Sequence, residues 1–328
     1  MRLVKNSGKN KILLGYDQAR HRIRKEIFDT LRRENLSLDM MSIPCHSCGS
    51  KNVRSIEIRE RKRKGEVKVL KCQNCGRKFV DNLLRSHLDF STIATILELT
   101  SQFRSPSLIV RELEKRGMRI SKPSIYSVLT KAVEVLIEFE EIVTFFEPTY
   151  LVIDDSPQKI SRGKVWITNL IDAKSRYWLA CVVSQTRSLD ASLEAIRRSE
   201  PLLQSAPSYI KSDGYQGHIK AIKELGLKSV YATKKENYGI VNEIESLHSW
   251  IRSHLPKEAV FKTESSLKTF LEILRFKHNF FREIGGKTPA QRVGIPFKPS
   301  MGWKFLLKIA IWAVAEYRAS EKRMELGI

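Results

Sequence analysis

The sequence of 328 residues has no long apolar run. The most apolar late stretch, FLLKIAIWAVA at 305–315, contains Lys308 and is well short of the roughly 18–20 residues of a membrane span. The start, MRLVKNSGKNKILLGY, has neither the sustained apolar core nor the small-residue cleavage site of a secretory signal. We therefore expect a protein that binds no membrane and stays in the cytoplasm.

The sequence also has few acidic residues relative to its basic residues. The 36 Asp and Glu residues face 58 Lys and Arg residues, which gives a formal net charge of +22. This excess predicts a polyanionic partner and favours nucleic acid over a membrane surface. Hydrophobic residues make up 42% of the chain, which supports packed cores and excludes a disordered basic tail. The length suits two or three domains.

Cysteine is rare, with five residues in all, but four of them form two C-x-x-C pairs. The pairs are Cys45 with Cys48 and Cys72 with Cys75. This spacing favours metal ligation in a reducing compartment over a secreted disulfide framework. A glycine follows each pair and permits the tight turn that brings two thiolates to one Zn²⁺ ion. Such a four-thiolate site is coordinatively closed, so it predicts a structural zinc and no chemistry.

A β-hairpin is predicted between the two cysteine pairs, because apolar residues alternate on either side of a turn at Lys64-Gly65. With the cysteines, this hairpin predicts a small β zinc ribbon over residues 41–84. Its tip, RERKRKG, is densely basic, and we expect it to contact DNA phosphates. The residues assigned to this contact are Arg61, Lys62, Arg63 and Lys64. A basic helical segment over 1–40 precedes the ribbon, either as a solvated surface helix or as a further contact to the DNA backbone.

Residues 88–140 show a helical pattern. The segment SPSLIVRELEKRG begins with Pro106 after a serine and ends at Gly117, and a long helix starts near Ser121. Three helices with a short turn between the second and the third favour an all-α helix-turn-helix domain, whose third helix enters the major groove. The residues at its reading end are Lys122, Ser124 and Tyr126. A plain three-helix connector is the alternative.

The pattern changes to strands after Pro148. Three strands follow one another, then helix, strand, helix, strand and a further helix, which is the element order of an RNase H-like fold. We predict an α/β core of this class over 147–297, with a mixed five-stranded sheet and flanking helices. Residues 298–328 are predicted to form a C-terminal packing helix, with an interface between subunits as the alternative.

Carboxylates fall at three points of this predicted core. Asp154 and Asp213 each end a strand, and Glu245 lies on the late helix NEIESLHSWIRSH. Because the two strands are neighbours in this fold, we expect the three acids to converge and to hold two divalent ions of the Mg²⁺ type. Each acid also has a structural explanation: a turn at either aspartate, and a capping box with Asn242 for Glu245.

The late helix has two predicted faces. An apolar stripe at helical spacing consists of Ile244, Leu247, Ile251 and Leu255. Beside this stripe, Glu245, His248 and Arg252 recur on one polar face. The stripe predicts burial against the sheet, and the polar face predicts one wall of a site.

Residues 90–297 resemble a DDE-type transposase of prokaryotic insertion sequences, of the retroviral-integrase superfamily. The matching segments are IDDS, IKSDG, NEIESLHSWIRSH and FKHNFFREIGGKTPAQRVGI. The resemblance implies Asp154, Asp213 and Glu245 as catalytic metal ligands, separated by 213 − 154 = 59 and 245 − 213 = 32 residues. It also implies that His248 and Arg252 bind a phosphate or order the scissile strand. Since Asp155 is acidic too, it takes the ligand role if the register slips by one.

The resemblance further implies an activity, cofactors and partners. The expected enzyme cleaves DNA at element ends and transfers the resulting 3′-OH into target DNA, with two Mg²⁺ (or Mn²⁺) ions in its site and Zn²⁺ in the ribbon. Its partners are double-stranded DNA, as terminal inverted repeats and target, and a second or further copy of the chain in a synaptic complex. Its place is the nucleoid in a prokaryotic cytoplasm.

Two other functions fit parts of the same sequence. One is a DNA-binding regulator or domesticated transposase whose RNase H-like domain is an inactive scaffold. The other is an RNase H-like nuclease or resolvase that cuts without joining. The complete set of acids favours the enzyme over the scaffold, and strand-transfer products distinguish it from the nuclease.

Overall fold

The structure of the chain is a computed structural model with two compact units. It describes residues 7–33, 43–45, 47–61, 65–80, 84, 88–161, 163–231, 242–255 and 261–325, without the side chains at 7–16, 59–61, 65–67, 242 and 325. The first unit contains Met1–Leu97, Pro106–Val143 and Met301–Ile328, and the second contains Glu98–Ser105 and Thr144–Ser300. The domain boundaries given above stay predictions.

Helices build most of the first unit. They are α1 (Ser7–Arg32), the greater part of α2 (Phe90–Ser101), α3 (Pro106–Lys115), α4 (Lys122–Val143) and α10 (Gly302–Glu325). Helix α1 buries a stripe at every fourth residue, and α10, which contains the apolar stretch at 305–315, packs against α1 and α4. Across the described ranges, no helix combines the length and apolarity that a membrane span needs.

The predicted hairpin between the cysteine pairs is confirmed and gains a third strand. Strands β1 (Val53–Arg61), β2 (Gly65–Cys72) and β3 (Lys78–Val80) form an antiparallel sheet in the order β1-β2-β3. Ile56 and Ile58 on β1 are exposed, at 40% and 57%. So small a sheet has too little apolar surface for a core of its own, and its stability must come from other contacts.

One such contact joins the first cysteine turn to helix α10. Gly49 follows Cys48 with a positive φ of 68°, and a Cβ atom there would lie 2.9 Å from the carbonyl oxygen of Ala319. Arg323 donates to the carbonyl oxygen of Gly49 at 2.9 Å. Nearby, Lys51 pairs at 3.1 Å with the buried carboxylate of Glu316. The first turn of the ribbon therefore lies directly on α10.

The second unit contains a five-stranded mixed sheet in the order β6-β5-β4-β7-β8. Its strands are β4 (Leu151–Ile160), β5 (Gly163–Asp172), β6 (Trp178–Ser184), β7 (Ile210–Ser212) and β8 (Ser229–Tyr231). The first three pair antiparallel, whereas β7 and β8 pair parallel to β4. With the helices that follow, this order is the predicted RNase H-like arrangement, and the fold class is confirmed.

Strand β4 is longer than the sequence pattern indicated. The prediction that this strand ends in the acidic pair is wrong, because β4 continues through Pro157 to Ile160 and pairs with β5 along its whole length. Parallel pairing with β7 nevertheless stops where Ile153 lies opposite Ser212. Asp154 therefore lies in the middle of β4 but at the point where its neighbour β7 ends.

Four helices pack on the sheet. They are α5 (Leu189–Ser199), α6 (Gln216–Glu224), α7 (Asn242–His254) and α8 (Glu264–Phe281), and the short α9 (Pro289–Arg292) packs on α8. The predicted apolar stripe of α7 is confirmed, since Ile244, Leu247, Ile251 and Leu255 join α8 and one face of the sheet in a single core. Burial of each such side chain stabilises the fold by about 1.5–3 kcal/mol, which fixes α7 in rotation about its axis.

His278 on α8 is buried as a neutral side chain. Its Nε2 donates to the carbonyl oxygen of Arg176 at 2.9 Å, and its Nδ1 accepts from Nη1 of Arg282 at 3.2 Å. Burial, and then the charge of Arg282, lower the pKa of His278 to about 3. The proton that an unfolded histidine binds near neutral pH is therefore excluded from the folded unit.

We expect His278 to make the second unit less stable in acid. The unfolded side chain binds a proton below a pKa of about 6.5, so stability is complete above that pH and falls as the pH drops toward the folded value. Between pH 7 and pH 5 the loss is about 2 kcal/mol. Urea unfolding at the two pH values measures it, and His278→Gln should remove a difference of about that size. His21→Gln, on the exposed side of α1, is the control, and an identical pH dependence in wild type and His278→Gln would contradict the prediction.

Candidate active site and zinc centre

Strands β4 and β7 bring two of the predicted acids together. Asp154 is on β4, and Asp213 follows the last residue of β7 in a turn where its Oδ1 accepts from the backbone N–H of Tyr215 at 2.9 Å. Ligand atoms of Asp154, Asp213 and His218 all lie within 4.8 Å of one another. Two carboxylates at this separation suit a divalent cation with oxygen ligands, so the residues fit the ion that the sequence predicted.

The negative charge of Asp154 is buried and only weakly stabilised by its neighbours. Only 8% of the residue is exposed, and its Oδ1 accepts from the backbone N–H of Asp155 at 2.8 Å. Burial raises the pKa of Asp154 to about 7, and the charge of Asp213 adds to the rise. A bound cation would offset both effects, which is further support for a cation site at this position.

Asp155 points to the opposite face of β4 and is held there by several partners. Thr168 donates to its Oδ1 at 2.6 Å, and Nε of Arg187 donates to its Oδ2 at 2.8 Å. Nε2 of His218 lies 3.2 Å from the same Oδ2. Burial alone would raise the pKa of Asp155, but the contacts with His218, Thr168 and Arg187 hold this pKa below its ordinary value. Asp155 is therefore ionised, and both of its carboxylate oxygens already accept hydrogen bonds.

Arg187 joins the two acidic positions. While its Nε contacts Asp155, its Nη2 donates to Oδ2 of Asp213 at 2.8 Å. The guanidinium carbon also lies 4.1 Å from the centre of the Tyr215 ring. Sequence reasoning missed Arg187 and His218, because each is a single residue in an unremarkable segment and only the tertiary fold brings it to the acids. The short spacing of His218 from Asp213 is the one signal that the sequence contained.

His248 is buried, although the sequence placed it on a polar face. It is 3% exposed, its Nδ1 lies 3.7 Å from Oδ2 of Asp154, and its Nε2 lies 3.2 Å from Nδ2 of Asn169. Burial, and then the charge of Arg252, lower the pKa of His248 to about 4. A buried neutral ring against Asp154 is suited to orienting that carboxylate. Its predicted contact with a phosphate stays a prediction.

Glu245 and Arg252 are exposed on α7. Within the ranges that the structure describes, Glu245 is not a member of the cluster of ligand atoms that Asp154, Asp213 and His218 form. The structure thus brings two of the three predicted acids together, and the third lies on the neighbouring helix. The capping contact predicted for Asn242 involves a side chain outside the described part.

Glu243 ties the start of α7 to the two strands that carry the aspartates. Its Oε1 accepts from the hydroxyl of Tyr150 at 2.8 Å, one residue before β4, and both carboxylate oxygens lie 3.3 Å from Nζ of Lys211 on β7. Tyr150 also stacks on Tyr209, with ring centroids 4.7 Å apart. Burial alone would raise the pKa of Glu243, but its hydrogen bonds and the charge of Lys211 hold that pKa below its usual value. One carboxylate therefore connects the three elements on which the predicted acids lie.

The residues predicted to contact DNA outside this site are in the first unit. Lys122, Ser124 and Tyr126 are exposed in the first turns of α4, and Tyr126 is 47% exposed. Ser121 begins this helix, since its hydroxyl accepts from the backbone N–H of Ser124 at 3.3 Å. The hairpin tip, with the side chain of Arg61 and residues 62–64, lies outside the described residues. Both DNA contacts stay predictions.

The four paired cysteines form a second cluster, in the first unit. Their sulfur atoms lie within 4.8 Å of one another, with 3.6 Å between Cys45 and Cys75 and 3.5 Å between Cys48 and Cys72. Tetrahedral zinc with bonds of about 2.3 Å separates its sulfur ligands by about 3.8 Å, so the cluster suits this ion. The same turn occurs twice, because Gly49 donates to the carbonyl of Cys45 at 2.8 Å and Gly76 donates to that of Cys72 at 3.0 Å.

Comparisons with known proteins bear on the second unit. Residues 150–283 match the family model of a DDE domain. No curated protein matched the chain.

Solved structures with a similar chain include retroviral integrases. The HTLV-2 integrase catalytic core domain in complex with magnesium (dimeric form) is 16% identical, with a TM-score of 0.30 over 45% of this chain and 97% of that one. The simian T-cell lymphotropic virus intasome in complex with PP2A regulatory subunit B56 gamma is 13% identical, with a TM-score of 0.33 over 45% of this chain and 55% of that chain. The BIV integrase catalytic core domain is 13% identical, with a TM-score of 0.30 over 44% of this chain and 91% of that chain.

The family match identifies the domain, and its bounds agree with the strands and helices of the second unit. The matched residues, 150–283, begin just before β4 and end just after α8, and they include Asp154, Asp213 and Glu245. The second unit therefore contains a stretch similar to a DDE domain, which spans less than half of the chain.

Proposed function

We propose that this chain is a transposase that cleaves DNA at the ends of an element and joins the freed 3′-OH to target DNA. The observation that carries the proposal is the approach of Asp154 and Asp213 to within 4.8 Å at the point where β7 ends, inside the matched DDE domain. The net charge of +22 supports DNA as the substrate.

The cofactor proposed for this site is Mg²⁺ or Mn²⁺, as two ions. When bound, such ions lower the pKa of the attacking water or hydroxyl and neutralise charge on the scissile phosphate. Asp154, Asp213 and Glu245 are the residues that would hold these ions. The choice of Asp154 over Asp155 is supported by the partners of Asp155, whose oxygens are already engaged by Thr168 and Arg187.

The other residues of the site are assigned to positioning. His248 orients the carboxylate of Asp154 from the α7 side, and Arg187 orients Asp213 from the other side. Exposed Arg252 lies on α7 beyond Glu245 and is suited to contact the scissile strand. Because in-line phosphoryl transfer depends mainly on positioning and charge neutralisation, these contacts contribute to the rate without a covalent intermediate on the enzyme.

We assign the binding of DNA away from the reacting phosphate to the first unit. The hairpin tip (Arg61, Lys62, Arg63 and Lys64) is proposed to bind phosphates, and the start of α4 (Lys122, Ser124 and Tyr126) is proposed to contact the terminal inverted repeats. Joining needs two element ends in one complex, so a homodimer or a larger assembly is part of the proposal.

A strand-transfer assay tests the proposed function. The full chain, loaded with zinc, is incubated with supercoiled plasmid, Mn²⁺ or Mg²⁺, and a labelled duplex that ends in a recessed 3′-OH strand. The duplex is made from the DNA that flanks the coding sequence. We expect labelled plasmid as the joined product. Nicking or cutting without joined product would support a nuclease, and DNA binding without any break would support a regulator with an inactive domain.

A smaller effect is expected from Glu243, which positions α7. Glu243→Gln removes the charge that holds Lys211 and Tyr150, so the joining rate at saturating Mn²⁺ should fall about 10- to 100-fold through displacement of Glu245. The Mn²⁺ concentration for half-maximal rate should rise as well, which a general loss of stability would not cause. Glu194→Gln breaks a comparable ion pair with Arg198 on α5 and is the control. Equal rates in both variants would contradict the positioning role.

A further inference from the structure

His218 lies next to the acids of the proposed site but was not among the residues predicted for it. It is the third residue of α6 and is 0% exposed. Fully buried histidines usually have partners for both ring nitrogens, because an unpaired polar atom in the interior is costly. The two nitrogens of His218 differ in this respect.

Nδ1 of His218 contacts a serine on α5. It lies 2.9 Å from Oγ of Ser192, and the hydroxyl of Ser192 donates its single proton to the carbonyl oxygen of Ser188 at 3.0 Å. With that proton on the carbonyl of Ser188, Oγ of Ser192 accepts from His218 and Nδ1 is the donor. In this tautomer the lone pair of the neutral ring is on Nε2.

Nε2 has no hydrogen-bond partner among the described residues. It lies 3.2 Å from Oδ2 of Asp155, an oxygen that already accepts from Arg187. A lone pair directed at carboxylate oxygens is unfavourable unless a cation lies between them. A ring nitrogen of His218 and oxygens of Asp154 and Asp213 lie within 4.8 Å of one another.

We propose that His218 supplies a nitrogen ligand to the cation held by Asp154 and Asp213, and that the site consequently prefers Mn²⁺ to Mg²⁺. Imidazole nitrogen suits first-row transition ions, whereas Mg²⁺ takes oxygen ligands almost exclusively. The inference rests on the proposed function, because it assumes a cation at the two aspartates.

Electron paramagnetic resonance of bound Mn²⁺ tests the proposal without any variant. The full chain, with its cysteine cluster loaded with zinc, is prepared with natural-abundance or ¹⁵N-labelled histidine and given less than one equivalent of Mn²⁺. We expect electron spin echo modulation from a directly bound nitrogen that changes with the ¹⁵N label. Bound Mn²⁺ with no histidine coupling would overturn the proposal, and so would a doubly protonated His218 that pairs with Asp155 instead.

Two variants identify the histidine. His218→Asn keeps an amide N–H near the position of Nδ1, so Ser192 retains its donor, but it removes Nε2. We expect loss of the nitrogen coupling and Mn²⁺ binding weaker by at least about tenfold, with a much smaller change for Mg²⁺. His248→Asn is the matched control on the other side of Asp154 and should retain the coupling. Coupling that persists in His218→Asn but disappears in His248→Asn would overturn the assignment.

Asp154→Asn separates this inference from the proposed function. If Mn²⁺ binding depends on Asp154 but shows no nitrogen coupling, the cation site stands and the role of His218 is refuted. If Mn²⁺ binds equally well without the carboxylate of Asp154, the proposed site itself is refuted, and the role of His218 with it.

Discussion

Asp154→Asn should reduce DNA cleavage and joining by about 1,000-fold or more. The amide keeps the size of the side chain but is a poor ligand, so the site loses several kcal/mol of transition-state stabilisation, and about 4 kcal/mol corresponds to a factor of about 1,000 in rate. Single-turnover joining of a pre-cut duplex in Mn²⁺ measures the effect on chemistry without product release. Circular dichroism and zinc content should match the wild type, because the change affects neither core packing nor the ribbon.

The matched control for Asp154→Asn is Glu224→Gln. Glu224 is an exposed carboxylate at the far end of α6. Its replacement removes one negative charge from the same unit, so it corrects for a general change in DNA affinity. Full joining activity in Asp154→Asn would refute the assignment of this residue. If Asp155→Asn abolished activity while Asp154→Asn did not, the ligand role would belong to the neighbouring position.

Cys45→Ser should remove zinc from the chain and unfold the ribbon. Cys45 is buried, and its sulfur is one of the four in the cluster. A structural zinc site contributes about 10–16 kcal/mol of apparent binding energy to its domain, and the three-stranded sheet has little apolar core to replace it. We expect zinc content to fall from about one ion per chain to near zero, by atomic emission on purified protein.

Cys181→Ala is the control for this zinc measurement. Cys181 is the fifth cysteine, lies in the core of the second unit and is not a member of the cluster. This variant should keep its zinc, whereas Cys45→Ser should also bind DNA more weakly if the ribbon contacts phosphates. An unchanged zinc content in Cys45→Ser would refute the four-cysteine site. If zinc is lost but DNA affinity is unchanged, the ribbon does not contribute to DNA binding. The assignment of the four cysteines as zinc ligands would still stand.

Much of the fold was predictable because its signals are local. The order of strands and helices, the apolar stripe of α7 and the two C-x-x-C turns each depend on residues a few positions apart. The approach of Asp154 to Asp213 required one further step, the knowledge that these two strands are neighbours in an RNase H-like sheet. Where a pattern is periodic or a spacing is fixed, the sequence was sufficient.

The surroundings of the acids were less predictable, because they depend on which face of a strand or helix each side chain occupies. Asp154 and Asp155 are adjacent in sequence, yet one faces His248 and the other faces Arg187. His248 lies at the edge of the apolar stripe, where a small rotation of α7 decides between burial and exposure. Arg187 and His218 come from separate elements, and no local pattern indicates that both reach Asp155.

The contact between the first cysteine turn and α10 has a consequence for protein synthesis. Gly49 and Arg323 are 274 positions apart, and Glu316, which pairs with Lys51, lies on the same late helix. A growing chain can therefore bind zinc early, but its ribbon lacks this support until residues 302–325 have left the ribosome. The second unit, which ends before α10, is synthesised in the interval. On a ribosome-bound chain, the ribbon should accordingly become resistant to proteases only after the DDE domain has been made.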